Sequence, residues 1–241
     1  MTFEDFAKQI KFRFFGKMSK LNWFNRLNNR LALFGINLEI LNTCLPSERA
    51  NARTPLKELV KSVPKMSTFA NAALIDKAVS NMPNATKFVN VGVWHGYSFL
   101  AGIVSNKNRE CVAIDNFSQF GGPKIEFMQR FDLMKSPNHY FYETNYENYF
   151  ANIHSGLIGF YIYDGDHIYR EQMRGLEVAE PFFATGCVIL VDDTNDPEPR
   201  QATLDFINRH PTRYRILFDH KTLGNGHPTH WNGVMIFQRI E

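Results

Sequence analysis

The stretch KFVNVGVWHGYSFL, residues Lys87–Leu100, decides the fold that the sequence predicts. Its apolar run Phe88–Val93 is typical of a strand buried inside a parallel sheet. Gly92 and Gly96 follow, and glycine suits a turn that needs positive φ or a ligand close to the main chain. Ser98 then lies near the start of the next helix, where free N–H groups attract a carboxylate or phosphate. The stretch predicts a ligand-binding turn after the first strand of an α/β sheet.

The glycine spacing of this turn is Gly-x-x-x-Gly, which is neither the G-x-G-x-x-G pattern nor a Walker loop. A strand, a turn and a helix with two glycines also occur in many α/β proteins that bind no nucleotide. The turn alone is therefore a weak signal, and the strands that follow it carry the argument.

The composition is that of a globular protein, with 241 residues, 44% hydrophobic and 21% charged. This length suits one α/β domain with an appendage. A formal charge of +3 is too small to predict nucleic-acid binding by itself. Three widely spaced cysteines, Cys44, Cys111 and Cys187, indicate reduced thiols and a cytoplasmic location. The sequence shows no long apolar run and no signal-peptide pattern, so we expect no membrane span.

The N-terminal part is expected to be a helical extension, residues 1–64, before a main domain of residues 65–241. Met1–Arg30 carries seven Lys/Arg, and Phe3, Phe6 and Ile10 recur near helical spacing, which predicts a helical hairpin or two short helices. One alternative is an amphipathic surface for a membrane or a partner. The favoured alternative is a helix packed on the core, or on another copy in a homo-oligomer. A further helix over Met66–Asn81 is expected across the mouth of the ligand crevice.

From Lys87 onward, short apolar strands alternate with helices, which predicts a Rossmann-like sheet of seven mostly parallel strands. The predicted strands are Phe88–Val93, Cys111–Asp115, Tyr140–Glu143, Gly159–Asp164, Cys187–Asp192, Tyr214–Asp219 and Val234–Arg239. The predicted helices lie near Ser98–Ser105, Ile125–Met134, Tyr146–Asn152, Ile168–Phe183 and Pro199–Arg209. The loop between the last two strands has no room for a helix, so the final strand is expected to be antiparallel.

Acidic residues stand at the carboxyl ends of several predicted strands, the edge where open α/β sheets bind ligands. The sequence separation between the first turn and Asp115 suits a carboxylate that accepts hydrogen bonds from a ribose. A carboxylate that caps the next turn fits equally well.

Three carboxylates, those of Asp166, Asp192 and Asp193, are expected to meet because their strands should be neighbours. Their mutual repulsion would be relieved by a divalent cation with oxygen ligands, such as Mg²⁺. The alternative is that Asp164 or Asp192 caps a loop and no metal binds. His167 is a candidate base or adenine contact, although a histidine beside a turn often has a structural role.

The string VNVGVWHGYS, Val89–Ser98, resembles the first motif of class I S-adenosylmethionine-dependent methyltransferases, in their catechol O-methyltransferase-like and macrocin O-methyltransferase-like branches. In that family an acid-x-Gly-x-x-x-Gly-x-Ser pattern holds the methionine part of the cofactor. The resemblance covers about residues 66–241, and the DGDH and DDTN strings resemble the family's metal-binding segments.

The resemblance implies S-adenosylmethionine as cofactor and Asp166, Asp192 and Asp193 as Mg²⁺ ligands. The implied cofactor-binding residues are Asn90, Gly92, Trp94, Gly96, Tyr97, Ser98, Asp115, Asn116, Phe117, Asn145 and Asp164. The chain departs from the family at Asn90, where an acid is usual, and at Tyr169, which falls where the catechol enzymes carry their catalytic lysine. Asp166, His167 and Tyr169 are the expected catalytic residues. The base itself is left open between Asp166, His167, His95 and the C-terminal histidines.

We therefore expect a cytoplasmic O-methyltransferase, Mg²⁺-assisted, that acts on a hydroxyl of a small molecule or sugar and does not act on nucleic acid. The loop His220–Trp231 is a candidate for the acceptor site, or else a mobile polar loop. Two alternatives stay open: a metal-independent methyltransferase, and a non-catalytic partner-binding protein that retains the fold.

Overall fold

The computed structural model describes residues 1–20, 27, 30, 31 and 34–241. Its strands, in chain order, are β1 (Lys11–Phe12), β2 (Thr43–Cys44), β3 (Thr86–Val91), β4 (Glu110–Asp115), β5 (His139–Glu143), β6 (Leu157–Tyr163), β7 (Phe183–Asp192), β8 (Tyr214–His220) and β9 (Val234–Arg239). Its helices are α1 (Phe3–Gln9), α2 (Leu38–Asn42), α3 (Ala50–Ser62), α4 (Phe69–Asn81), α5 (Tyr97–Ile103), α6 (Lys124–Met134), α7 (Tyr146–Asn152), α8 (Tyr169–Ala179) and α9 (Pro197–Arg209).

Seven of these strands form one sheet in the order β5-β4-β3-β6-β7-β9-β8. The pairs from β5 to β7 are parallel, and β9 runs antiparallel to both β7 and β8. The predicted Rossmann-like fold, with its antiparallel last strand, is confirmed. Strand β9 has the predicted bounds, and the other strands differ from prediction mainly at their first residues.

The sheet is buried on both faces because its side chains alternate between two apolar layers. Phe88 and Phe160 point into one layer, and their neighbours Val89 and Tyr161 point into the other. Helix α4 lies within the first layer and is buried from Phe69 to Val79, because the sheet, α1, α3 and α5 surround it. An apolar helix with no exposed face is expected in such a position.

The predicted helix Ile168–Phe183 is shorter in the structure. It ends at Ala179, and a 3₁₀ turn over Glu180–Phe182 follows before β7 begins at Phe183. Pro181 explains the difference, since proline lacks an N–H and cannot continue the α-helical hydrogen-bond pattern.

The N-terminal segment contains one of the expected helices, α1, and then a short ribbon in which β1 pairs antiparallel with β2. Most of the second half of the predicted hairpin lies outside the described residues. Phe3 and Phe6 of α1 are buried in the same core layer as Phe99 of α5. The boundary between residues 1–64 and 65–241 stays a prediction. Within the described chain, no helix is both long and apolar enough to span a membrane.

Candidate active site

A cavity of about 560 Å³ lies at the carboxyl ends of β3, β4, β6 and β7. This is the edge at which open α/β sheets bind ligands. One wall comes from the segment that enters α4, with Lys65, Met66, Ser67, Asn71 and Ile75. The predicted position of the Met66–Asn81 helix across the crevice therefore agrees with the structure.

The glycine turn after β3 forms the floor of the cavity. Gly92 has φ +74, and a Cβ at this position would collide with the main-chain carbonyl of Asp164. Gly96 has φ +95, and a Cβ there would lie 2.8 Å from the Phe127 ring. Both glycines are thus required by backbone conformation and by close packing within the protein. Gly92 also lines the cavity, whereas Gly96 lies behind it.

Asp115 at the end of β4 connects the two turns that face the cavity. One carboxylate oxygen accepts hydrogen bonds from the N–H groups of Val93 (2.7 Å) and Trp94 (2.9 Å), and the other accepts from Phe117 (2.7 Å). A carboxylate has about four acceptor positions, so three are occupied within the protein. The capping role is therefore present in the structure, and one acceptor position remains for a ligand.

The segment after Asp115 covers one side of the cavity. Phe117 has φ +50 and packs against Phe127 and Phe141, with ring centroids 5.8 Å away in both cases. The Trp94 indole N–H donates to the carbonyl of Phe120 (3.2 Å), which fastens this segment to the glycine turn.

Two asparagines that are predicted to bind the cofactor also line the cavity, and each completes a local turn. The side chain of Asn116 accepts from the N–H of Ser118 (3.1 Å). Asn145 caps α7 by accepting from Asn148 (2.7 Å).

Three further predicted cofactor residues differ in their access to the cavity. Tyr97 and Ser98 line it, although the Tyr97 hydroxyl already donates to the carbonyl of Thr68 (3.0 Å). Asn90 is fully buried behind the turn, where its amide N–H groups donate to the carbonyls of Val91 and Gly92. Its side-chain oxygen is buried and has no partner in the described part of the chain.

An acidic cluster faces the cavity at the ends of β6 and β7. Ile162 pairs with Leu190, so Asp164 and Asp192, each two residues further on, arrive side by side. One ligand atom each from Asp164, His167 and Asp192 lies within 4.8 Å of the others. One oxygen of Asp192 is buried without a hydrogen-bond partner among the described residues.

These carboxyls have raised pKa values. Burial, with the nearby charges of Asp193 and Asp115, raises the pKa of Asp164 to about 7. Burial and the charge of Asp164 raise the pKa of Asp192 well above its usual range, and burial also raises that of Asp193. Like charges held in a partly dry cavity cannot all ionise without a counter-charge.

Asp166, which the sequence predicts as a metal ligand, is not among the residues whose ligand atoms lie within 4.8 Å of one another. It lines the cavity but is exposed, and its carboxylate accepts from the N–H of Ile168 (3.2 Å) before α8. The pairing register gives the reason, because Asp164 and not Asp166 lies opposite Asp192. Asp164, predicted as a cofactor contact, therefore occupies the position expected for Asp166.

His167 stands between two of the acids. Its Nε2 lies 3.4 Å from an Asp193 oxygen and 3.7 Å from an Asp164 oxygen. Its Nδ1 is buried with no partner in the part of the molecule that the structure describes. His167 lines the cavity, so the structure places an imidazole next to the acidic cluster, and its role as a base or an adenine contact stays a prediction.

Tyr169 is turned away from the cavity, contrary to its predicted catalytic role. Its hydroxyl donates to Asp205 on α9 (2.9 Å), and its N–H donates to Glu198 (2.7 Å). As the first residue of α8, Tyr169 faces the neighbouring helix, because the turn Asp164–Ile168 directs the chain outward before the helix begins.

The other candidate bases also lie outside the cavity. His95 contacts Arg130 (3.3 Å), and burial followed by the Arg130 charge lowers its pKa. His227 and His230 are buried, and His230 contacts Asn71 at 2.8 Å. Among the described residues that line the cavity, none comes from the loop His220–Trp231. The predicted acceptor role of that loop therefore does not agree with the structure.

Comparison with known proteins gives a family for the central part of the chain. Residues 89–194 match the sequence model of the family described as "Methyltransferase domain". This segment contains the glycine turn, Asp115 and both acidic strand ends. A search of curated proteins finds no match.

Solved structures show the same fold at low sequence identity. SAH-bound methyltransferase PaMTH1 of Podospora anserina has a TM-score of 0.58 at 14% identity, covering 94% of this chain and 100% of its own. Cofactor-bound Rv0187 from MTB has a TM-score of 0.58 at 14% identity, covering 93% and 99%. CalS11, a TDP-rhamnose 3′-O-methyltransferase of calicheamicin biosynthesis, has a TM-score of 0.55 at 14% identity, covering 92% and 96%.

Residues 89–194 therefore match a methyltransferase domain, and the whole chain has the fold of SAH-bound and cofactor-bound structures, the first of them a methyltransferase.

Proposed function

We propose that this methyltransferase transfers the methyl group to a hydroxyl oxygen of a small molecule or sugar, with the assistance of Mg²⁺. The observation that carries the proposal is the acidic cluster of Asp164, His167 and Asp192, which faces the same cavity as the glycine turn. CalS11 is a TDP-rhamnose 3′-O-methyltransferase, and this similarity supports an acceptor of this class.

The turn after β3 and the end of β4 fit the methyl donor. Gly92 and Ser98 present main chain and a hydroxyl to the cavity, and Asp115 retains one acceptor position for a ribose hydroxyl. Asn90 is buried behind the turn and supports it through the hydrogen bonds that its amide donates to Val91 and Gly92, and its direct contact with the cofactor stays a prediction.

The acidic cluster fits a divalent cation. Asp164 and Asp192 supply oxygen atoms, which Mg²⁺ prefers, and an unsatisfied buried oxygen on Asp192 is explained by a missing cation partner. The proposed metal ligands are therefore Asp164 and Asp192. Asp193 lies close to them, because one of its oxygens is 3.4 Å from Nε2 of His167. A bound Mg²⁺ supplies positive charge that makes a nearby hydroxyl more acidic.

His167 is the proposed general base. A neutral imidazole accepts a proton on Nε2, and the carboxylates of Asp193 and Asp164 then stabilise the imidazolium that forms. The cavity walls hold donor and acceptor in line, which is the main requirement of a displacement at a methyl group. Asp166, at the same rim, is a second candidate for proton transfer.

The proposal includes a cytoplasmic, reducing environment. Cys111 and Cys187 are buried free thiols, and burial raises the pKa of both, which keeps them protonated and unreactive. Rapid alkylation in whole cells followed by mass measurement should find all thiols reduced, and an oxidised pair would contradict the location.

The experiment that tests the function is calorimetric titration of the protein with S-adenosylhomocysteine, with and without Mg²⁺, followed by assays of hydroxylated acceptors. We expect micromolar binding that does not need the metal, and turnover that chelation abolishes. Turnover that is indifferent to chelation would contradict the metal assignment, and loss of turnover in His167→Gln with unchanged cofactor binding would support the base.

A further inference from the structure

The positive charge of the chain is concentrated in one N-terminal segment. Residues 6–38 contain seven Lys/Arg and no Asp or Glu, whereas the other 208 residues carry 20 Lys/Arg against 24 Asp/Glu. The segment is thus +7 and the rest of the chain is −4. Phenylalanine, leucine and methionine are interleaved with these cations, a composition typical of surfaces that bind anionic membranes.

The first part of this segment is fixed to the protein along its inner side. The side-chain oxygen of Asn42 accepts from the N–H groups of Phe14 (2.9 Å) and Phe15 (2.8 Å). The carbonyl of Lys17 accepts from Leu223 (3.0 Å), and that of Ser19 contacts His227 (3.1 Å). The backbone of this part is therefore held in place by hydrogen bonds to the rest of the protein.

The outer side of the segment exposes large apolar side chains among cations. Phe14 is 66% exposed, Met18 is 69% exposed and Phe34 is 79% exposed. We name the basic apolar surface by its described exposed residues: Lys8, Lys11, Arg13, Phe14, Met18, Lys20, Arg30, Phe34, Ile36 and Leu41. Several large apolar side chains that remain exposed in one segment are typical of an interaction site.

This surface is joined to the rim of the cavity through α2. Glu39 of α2 forms an ion pair with Lys65 (2.7 Å) and also accepts from the N–H of Phe69 at the start of α4. Lys65 and Met66 line the cavity, and Met66 is itself 45% exposed. The basic apolar surface and the cavity rim are therefore held together by buried contacts.

We propose that the basic apolar surface binds an anionic lipid membrane and thereby positions the cavity rim at the headgroup region. The cations provide attraction to acidic headgroups, and Phe14, Met18 and Phe34 provide side chains that enter the interface. This binding needs neither cofactor nor acceptor, so it stands apart from the proposed methyl transfer.

Charge argues against a second copy of the chain as the occupant. A two-fold contact places the same surface patch against itself, so the five exposed cations of this surface would face the same five cations of the other copy, with no acid among the residues that define it. Such like-charge contact is destabilising, whereas an anionic membrane complements every cation.

Co-sedimentation with vesicles tests the proposal. The probes are phosphatidylcholine vesicles with and without about 30% phosphatidylserine, at low and high salt. We expect binding only to the anionic vesicles, and we expect it to weaken as salt rises. Each cation near such a surface contributes about fivefold in affinity, so Lys11→Glu with Lys20→Glu should weaken binding at least about 30-fold.

A second pair, Phe14→Ser with Met18→Ser, removes the apolar contribution at exposed positions and should also weaken binding. The matched control is Leu133→Ser with Lys135→Glu, at and just after the end of α6, where Leu133 is 85% exposed. This control should bind like the wild-type chain, and circular dichroism should show that all variants are folded. Equal binding to neutral vesicles, or a dimer that the Phe14/Met18 variant dissociates, would overturn the proposal.

Discussion

The two halves of the cavity differ in how far their polar atoms are satisfied. At the ends of β3 and β4, Asp115 accepts three main-chain hydrogen bonds and Trp94 is tied to Phe120. At the ends of β6 and β7, Asp192 retains an unpartnered buried oxygen, and the carboxyls beside it have raised pKa values. The first half is closed by hydrogen bonds within the protein except at the buried oxygen of Asn90, whereas the second half holds carboxyls whose like charges oppose one another.

This difference in hydrogen bonding indicates which half of the cavity depends on a ligand. A site whose polar groups pair with each other keeps its shape without help, so it can be organised before the cofactor arrives. A site with adjacent unpaired carboxylates carries an electrostatic cost that only protons or a cation remove. We therefore expect metal and pH to act on the acidic half far more strongly than on the glycine turn.

The largest expected effect is on metal affinity. In Asp164→Asn with Asp192→Asn, two anionic ligands become neutral, so Mn²⁺ affinity measured by electron paramagnetic resonance should fall at least about 100-fold. Affinity for S-adenosylhomocysteine should change less than about threefold, because the half at the ends of β3 and β4 is untouched. An equal loss of both affinities would show that the two halves are not separable.

The next effect concerns the stability of the glycine turn. Gly92→Ala places a Cβ against the carbonyl of Asp164 at φ +74, so the free energy of unfolding should fall by about 2–4 kcal/mol. Gly224→Ala, at a position with open space around it, is the matched control and should change stability by less than about 0.5 kcal/mol. Denaturant titration measures both, and equal effects would contradict the packing reason.

A smaller effect is expected from pH. The carboxyl of Asp164 has a pKa of about 7 in the folded chain against an ordinary value of 3.8, so the folded state holds its proton more tightly. Without metal, this group makes the protein less stable as pH rises from about 4 to 7. Mg²⁺ at pH 8 should raise the melting temperature by about 2–4 °C. Asp164→Asn should lose both the pH slope from this group and the response to Mg²⁺.

The smallest effect is expected at Tyr169, and the nearby His167 provides the contrast. Tyr169→Phe removes only a hydroxyl that bonds to Asp205 outside the cavity, so methyl transfer to any accepted substrate should change less than about twofold. His167→Gln should reduce the same rate by about 100-fold or more. A large loss in the tyrosine variant would restore Tyr169 as a catalytic candidate.

Apolar periodicity and strand-end acids predicted most of the fold and the general location of the site. The bounds of Val234–Arg239 and Tyr146–Asn152 agree with the structure, because short segments flanked by turn residues leave little freedom. The pairing of acids from two strands was also predictable, since neighbouring parallel strands end at the same edge.

The choice between Asp164 and Asp166 could not be made from the sequence, because it depends on which residues pair between β6 and β7. A register difference of two residues exchanges one acid for the other without changing any local pattern. The burial of His227 and His230 was equally hidden, since it depends on contacts with residues more than 150 positions away. Both the strand register and the burial of these histidines depend on long-range packing, which the local sequence pattern does not reveal.

The wall from Lys65 to Ile75 has a consequence for the choice of acceptor. It lies outside residues 89–194, the segment that matches the methyltransferase family, yet it lines the same cavity. We therefore expect substitutions in this wall to change which acceptor the cavity admits while leaving the strand ends that carry the proposed chemistry intact.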